Sequence, residues 1–184
     1  MQPISYAKWL PAAAMTVVLG AAPAPAITFT PLGDLLGGDA NSAAYAISND
    51  GTTVVGTSSA ALGFEAFRWT QLTGMLSLGD LATGGFESSA NAVSSNGSVI
   101  AGYGTTSTST EAASWSSPLY LPTSLGTLGG TNPVSVANGV SANGSVIVGR
   151  TSTAAGTEAF RWTSGGGMVP LGSVATSPYS RSLR

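Results

Sequence analysis

ISNDGTTVVG at residues 47–56 is answered by VSSNGSVIAG at 93–102 and VSANGSVIVG at 140–149. Each copy sets an Asn-Gly or Asp-Gly pair between short runs rich in Val, Ile, Ser and Thr. Such a pair is a strong hairpin signal, because a two-residue turn needs positive φ at both central residues. The stretch therefore predicts strands at Tyr45–Ser48 and Thr53–Thr57 joined by a tight turn, and two further copies of that hairpin.

Other landmarks keep the same pitch. EAFRWT fills 65–70 and 158–163, with EAASWS at 111–116. Leu-Gly recurs at 32, 78, 125 and 171, so every landmark advances by 46 or 47 residues. Internal repetition at this period is the signature of a modular fold. Within a unit the Glu-Ala segment reads as a third strand, Gln71–Gly74 as a turn and Met75–Leu78 as a fourth strand. Four short strands in such a unit match the size of a β-propeller blade. No sustained helical period occurs past the N-terminal segment. The expected fold is all-β: tandem four-stranded antiparallel repeats, propeller-like, in an incomplete or open ring. An open β-solenoid or stacked-sheet array is the alternative. The repeats fall at about 32–77, 78–124 and 125–170 within a β domain at 27–172.

Side-chain alternation adds a packing rule. Residues two apart in a strand share a face, so Glu65, Phe67 and Trp69 lie on one side and Ala66, Arg68 and Thr70 on the other. Burying each aromatic contributes roughly 1.5–3 kcal/mol. Ala66, Ala112 and Ala159 make the opposite side small, which lets a neighbouring sheet approach. Glu65 is expected to turn its carboxylate toward a backbone N–H or an arginine, fastening a seam.

The order LGDL, then a Ser-Asn-Asp-Gly hairpin with VVG, then EAFRW, then GM and LGDL resembles the HAF repeat family, extracellular repeat proteins of bacteria. The resemblance spans Thr30 to Gly172. It implies an exported, repeat-built β protein and supplies no activity. The His-Ala-Phe triplet that names the family is Glu-Ala-Phe at 65–67 and 158–160 and Glu-Ala-Ala at 111–113, so no role of that histidine transfers.

Composition agrees with a packed, exported chain. Charged residues are 8% and hydrophobic residues 43% of the 184, enough apolar material to bury a core. A net charge of −2 and a lack of clustered Lys and Arg exclude nucleic acid as a partner. Lys8, the apolar stretch Trp9–Ala22 and Ala24-Pro25-Ala26 fit a secretory signal over 1–26, cut after Ala26. The expected location is periplasmic or extracellular, with no transmembrane span after cleavage. Residues 173–184 leave the repeat as an irregular tail.

The inventory of reactive groups is short. With no His and no Cys, and Lys8 the single lysine, the mature chain has no Ser-His-Asp triad, no Cys nucleophile, no Ser-Lys dyad and no imidazole or thiolate zinc site. No cofactor motif occurs. Asn49-Asp50-Gly51 lacks the register of oxygens a calcium loop needs. Asn96-Gly97-Ser98 and Asn143-Gly144-Ser145 match a glycosylation acceptor pattern that the hairpin already explains. The positions for a ligand or a seam are Glu65, Arg68, Trp69, Glu111, Trp115, Glu158, Arg161 and Trp162. Repeat two carries Ala113-Ser114 where the others have Phe-Arg, so catalysis by Arg68 and Arg161 in every unit is disfavoured. The expected function is a non-enzymatic binding or surface module whose partner is a glycan or a protein at the cell surface. The alternatives are a carboxylate-dependent polysaccharide hydrolase built on Glu65, Glu111 and Glu158, and a shortened remnant of a longer repeat protein. Ile27–Gly33 aligns with the fourth strand of a unit. Three units fall below the usual four to eight blades, so self-association of copies is one way to cover the open ends.

Overall fold

The computed structural model describes residues 29–82, 84–130 and 132–172. The signal segment at 1–26, its cleavage point and the tail at 173–184 lie outside the described residues, as do Ile27 and Thr28. Residues 29–35 form no strand, so over its described part the likeness of 27–33 to a fourth strand is not matched by strand structure.

Twelve strands follow in chain order: β1 Gly37–Ile47, β2 Val54–Ala60, β3 Phe64–Thr70, β4 Gly74–Ser77, β5 Gly84–Val93, β6 Val99–Thr106, β7 Thr110–Ser116, β8 Leu121–Gly126, β9 Ser135–Val140, β10 Ile147–Thr153, β11 Gly156–Thr163 and β12 Gly167–Pro170. They form three four-stranded antiparallel meanders, β1-β2-β3-β4, β5-β6-β7-β8 and β9-β10-β11-β12. No helix occurs among the described residues. Each meander is a propeller-like blade, numbered 1 to 3 below. β5 packs against β1, β2 and β3, and β9 against β5, β6 and β7, so the first strand of each of these blades lies on the sheet of the blade before it.

The three hairpins share one hydrogen-bond scheme. Gly51 N donates to Ser48 O (2.9 Å), Gly97 N to Ser94 O (3.0 Å) and Gly144 N to Ser141 O (2.8 Å). Only the glycine of each loop has positive φ, at 72°, 73° and 75°. This corrects the expectation of a two-residue turn with two positive φ values. The loop is longer, and a serine makes up the difference. Ser48 Oγ accepts from Thr53 N, Ser94 Oγ from Val99 N and Ser141 Oγ from Val146 N, all at 3.0 Å. The same hydroxyls donate to Asp50, Asn96 and Asn143 at 2.5, 3.1 and 2.8 Å. An Asx side chain two residues past a serine thus folds the loop back on itself. Ser94 is fully buried. Ser94→Ala strands the Val99 N–H and is expected to cost about 1–3 kcal/mol, read as a lower midpoint in urea unfolding.

Blades stack by setting a large face on a small one. In blade 1, Ala46, Val55, Ala66 and Leu78 meet Ala90, Ile100, Ala113 and Trp115 of blade 2. In blade 2, Ala101, Ala112 and Leu125 meet Ala137, Ile147 and Phe160 of blade 3, with Val140, Trp162 and Met168 packed around them. The pairing of large and small faces follows the alternation read from EAFRWT. Phe67 is also buried, on the face of blade 1 that turns away from blade 2.

Polar contacts repeat across both seams. Ala66 N donates to Ser88 Oγ (3.0 Å) in the first, and Ala112 N to Ser135 Oγ (2.7 Å) in the second. The hairpin loops are also joined: Asp50 N donates to Ser95 O (3.3 Å) and Ser95 N to Ala142 O (3.0 Å). A Cβ on Gly97 would come within 2.4 Å of Thr53 Oγ1, and one on Gly144 within 2.5 Å of Val99 Cγ2. Gly97 and Gly144 are therefore points where a blade touches the one before it.

Candidate functional site

The recurring glutamates stand on the aromatic face of each third strand, at the end that leads to the next blade. Ser77 Oγ donates to Glu65 Oε2, and Ser124 Oγ donates to Glu111 Oε2. Ser77 Oγ in turn accepts from Gly79 N (2.9 Å) and Ser124 Oγ from Gly126 N (3.0 Å). A relay of carboxylate, hydroxyl and backbone N–H thus closes the turn after the fourth strand. The expected partner, a backbone N–H or an arginine, is corrected here to a serine of the neighbouring strand. Blade 3 has Pro170 at the matching place, and Glu158 Oε1 accepts from Thr153 Oγ1 instead (3.2 Å). Glu111 also accepts from Ser109 Oγ at 2.8 Å.

A shallow pocket opens beside two of these glutamates. In blade 2 it has a volume of about 380 Å³ and is lined by Leu81, Thr108, Glu111, Pro122 and Ser124 among others. In blade 1 the pocket is about 330 Å³, with Leu35, Glu65, Met75 and Ser77 in corresponding positions. Two equivalent pockets, each with an anchored carboxylate and an apolar wall, make a periodic surface suited to an extended ligand.

Asp80 lies in the connection between β4 and β5. Its Oδ1 accepts from Ser88 Oγ (2.8 Å), the hydroxyl that also receives Ala66 N across the first seam. Burial raises the Asp80 pKa, the Ser88 hydrogen bond opposes the rise, and the charge of Glu65 adds to it. Tyr103 is raised as well, first by burial and then by the charges of Glu87 and Tyr45.

The arginines and tryptophans diverge according to whether a blade covers them. Arg68 reaches blade 2, where its guanidinium carbon lies 4.9 Å from the ring centre of Tyr120. A cation over an aromatic ring gains about 0.5–2 kcal/mol. Its Nε is buried with no hydrogen-bond partner among the described residues. Arg161 holds the same position on blade 3 and is exposed, as is Arg150. Trp115 is fully buried between blades 1 and 2, whereas Trp69 and Trp162 are half-buried. The aromatic face that alternation predicts to be buried is covered by a neighbouring blade at Trp115 and Trp162, and this is corrected for Trp69, which turns to the outer face of blade 1. Trp69 lines a depression of about 520 Å³ at the end of the blade, with Thr52, Leu72 and the neighbouring Arg68.

Sequence reasoning missed Tyr120, whose hydroxyl donates to Gly97 O (2.9 Å) and whose φ of 50° is unusual for a bulky residue. It also missed the seam serines. Ser42, Ser88 and Ser135 recur on the common pitch and were detectable on that ground. Tyr120 has no counterpart in the other units, so periodicity carried no signal for it.

Among the described residues no group of three or more His, Cys, Asp or Glu side chains is placed to hold a metal ion. No helix among them is long and apolar enough to cross a membrane.

No protein-family model matches the chain, and none of the curated proteins matches it in sequence. Among solved structures, the crystal structure of TolB from Acinetobacter baumannii is similar at a TM-score of 0.53 and 11% identity. The match covers 71% of this chain, which spans about a third (32%) of the TolB chain. At that identity the likeness speaks for the fold alone, and the chain is an all-β protein of propeller-like blades.

Proposed function

We propose that the chain is an exported, non-enzymatic binding module that presents its repeated pockets to a glycan or protein of the cell envelope. The observation that carries this is the use of each recurring glutamate. Glu65, Glu111 and Glu158 all accept hydrogen bonds from a hydroxyl of their own blade. One acid per unit, held in a local relay, is what a structural repeat position provides. A hydrolytic pair would need two facing carboxyl groups at a set separation. The likeness to the HAF repeat pattern and the signal-like N-terminus support export.

The experiment is a comparison of activity with stability. Glu111→Gln keeps the shape and removes the charge. It is expected to cost about 1 kcal/mol or less, lowering Tm by roughly 2–4 °C per kcal/mol for a domain of this size. Neither the parent chain nor Glu111→Gln is expected to release reducing ends from a panel of polysaccharides. Release by the parent, lost in the variant while Tm holds, would establish the hydrolase reading instead. That second reading has one observation in its favour, the raised pKa of Asp80 close to Glu65. Asp80→Asn is its direct test: a hydrolase would lose turnover, and a seam residue would leave binding unchanged.

The acid limb of stability reports on the first hairpin. Hydrogen bonds from the Ser48 hydroxyl, then the Thr52 backbone and the Thr52 hydroxyl, hold the Asp50 carboxyl below its ordinary value of 3.8. A depressed pKa in the folded state adds stability that is present above the unfolded value and fades as pH falls through the folded one. Unfolding midpoints are expected to drop below about pH 4 in the parent chain, and to drop less in Asp50→Asn, because asparagine fills this place in the other two loops.

A further inference from the structure

We propose that two copies of this chain join head to tail, the outer face of blade 1 of one copy seating on the outer face of blade 3 of the other, to complete a six-bladed ring.

The two internal seams act as templates for the contact. The large-face row Val93, Ile100, Trp115, Pro122 of blade 2 corresponds to Val140, Ile147, Trp162, Met168 of blade 3 and to Ile47, Val54, Trp69, Met75 of blade 1. The small-face set Val55, Ala66, Leu78 corresponds to Ala101, Ala112, Leu125 and to Val148, Ala159, Leu171. In blades 1 and 2 the small set is buried by the following blade. In blade 3 it faces outward: Val148 is 42% and Leu171 60% exposed. The blade 1 row is open too, with Ile47 60% exposed. One chain thus carries both halves of the seam it builds twice internally.

The polar groups match at the same places. Ser135 Oγ donates to Gly126 O (2.6 Å), and Ser88 Oγ stands at the matching place, its one proton shared between Asp80 Oδ1 (2.8 Å) and Gly79 O (3.2 Å), while each receives an alanine N–H from the preceding blade. Ser42 Oγ is already set in this way, donating to Gly33 O at 2.9 Å. Its remaining lone pair is the acceptor for the Ala159 N–H of a second copy. Asn91 Nδ2 donates to Ala137 O across the second seam (2.9 Å). Asn138 stands at the equivalent place on blade 3, exposed, opposite the position that Ala44 O of a second copy would occupy. Gly51, with open space where Gly97 and Gly144 meet a preceding blade, would receive Val146 of the second copy. Apolar rows, seam serine, seam amide and loop glycine all specify one register.

Stoichiometry follows from blade number. Two copies give six blades, inside the usual four to eight, whereas three copies exceed that range. A contact between unlike faces closes into a ring only when its rotation completes a circle. A pair of copies closes when each seam turns the chain by about a sixth of a circle, and it then leaves no open face.

The absence of cysteine makes crosslinking a clean test. The exported full chain carrying Ser42→Cys and Ala159→Cys together is expected to oxidise to a covalent pair of twice the monomer mass. Either single variant is expected to stay monomeric on a non-reducing gel, because position 42 faces position 159 of the partner and not its own copy. Light scattering of the parent is expected to give twice the chain mass. Ile47→Asp and Val148→Asp, both at exposed positions, should each give monomers with an unchanged β circular dichroism spectrum. Mixing the two should restore pairs through the one seam left unmutated. A monomeric parent, as when the chain's own terminal segments cover these faces, would overturn the proposal. So would open-ended polymers, or crosslinking by Ser42→Cys alone. Binding to envelope material plays no part in these readouts, so their failure is separable from failure of the proposed function.

Discussion

Trp115→Ala is expected to cost about 3–5 kcal/mol, enough to leave a marginal domain largely unfolded at room temperature. The indole is completely buried and packs with Ile100, Val55 and Ala66, so its removal opens a void in the seam between blades 1 and 2. In the monomer-forming Val148→Asp background, Trp69→Ala, at the same position of blade 1, is expected to cost much less than Trp115→Ala, because its half-exposed ring then has no blade against it. The contrast between two identical substitutions isolates what the neighbour contributes. Trp115 Nε1 is also buried with no acceptor among the described residues. Trp115→Phe should therefore recover most of the loss, since it removes an unsatisfied donor while keeping an aromatic ring. Urea unfolding followed by circular dichroism checks all three. If Trp115→Ala and Trp69→Ala shift the midpoint equally in that monomeric background, the blade-on-blade account of stability fails.

Gly102→Ala should be nearly as damaging for a different reason. The first strand of each blade bulges between Ala44 and Ala46 or between Ala90 and Ala92, with a matching irregularity in blade 3. The bulge drives a backbone carbonyl toward the glycine of the second strand. An added Cβ would fall 1.9 Å from Ser89 O at Gly102, 1.9 Å from Ala43 O at Gly56 and 2.0 Å from Val136 O at Gly149. Those atoms are main chain and cannot swing aside, so the strand pair must separate. The expected loss is about 3 kcal/mol or more, and the folded β spectrum should be absent or shifted to lower temperature. Gly165→Ala, in a turn where an added Cβ meets nothing within 4 Å, is the control and should be close to neutral.

The bulge also shows where sequence reading succeeded and stopped. VVG, IAG and IVG announced a strand followed by glycine, and that strand is there. What the glycine is for depends on a carbonyl contributed by another strand, which no local pattern specifies. The same holds for Glu65. Its face followed from alternation, but its partner, Ser77, lies one strand away and became known only from the pairing of Phe67 with Ser77. The hairpins were legible as hairpins. Their geometry was misjudged because Asn-Gly suggests a two-residue turn, while the serine two residues ahead of the Asx opens a longer one. Trp69 and Trp115 hold the same phase of the repeat, and their burial differs because one has a blade of the same chain in front of it.

Because every seam is specified by residues at one fixed phase, changes of chain length are quantised. Gain or loss of a whole 46- or 47-residue segment leaves each serine opposite its alanine N–H and each loop glycine against its predecessor. An insertion of one residue inside β3 or β7 does the opposite, since it swaps the two faces of everything downstream in that strand. Tandem duplication is then the mutational step this architecture tolerates best, and short indels within strands are the step it tolerates least.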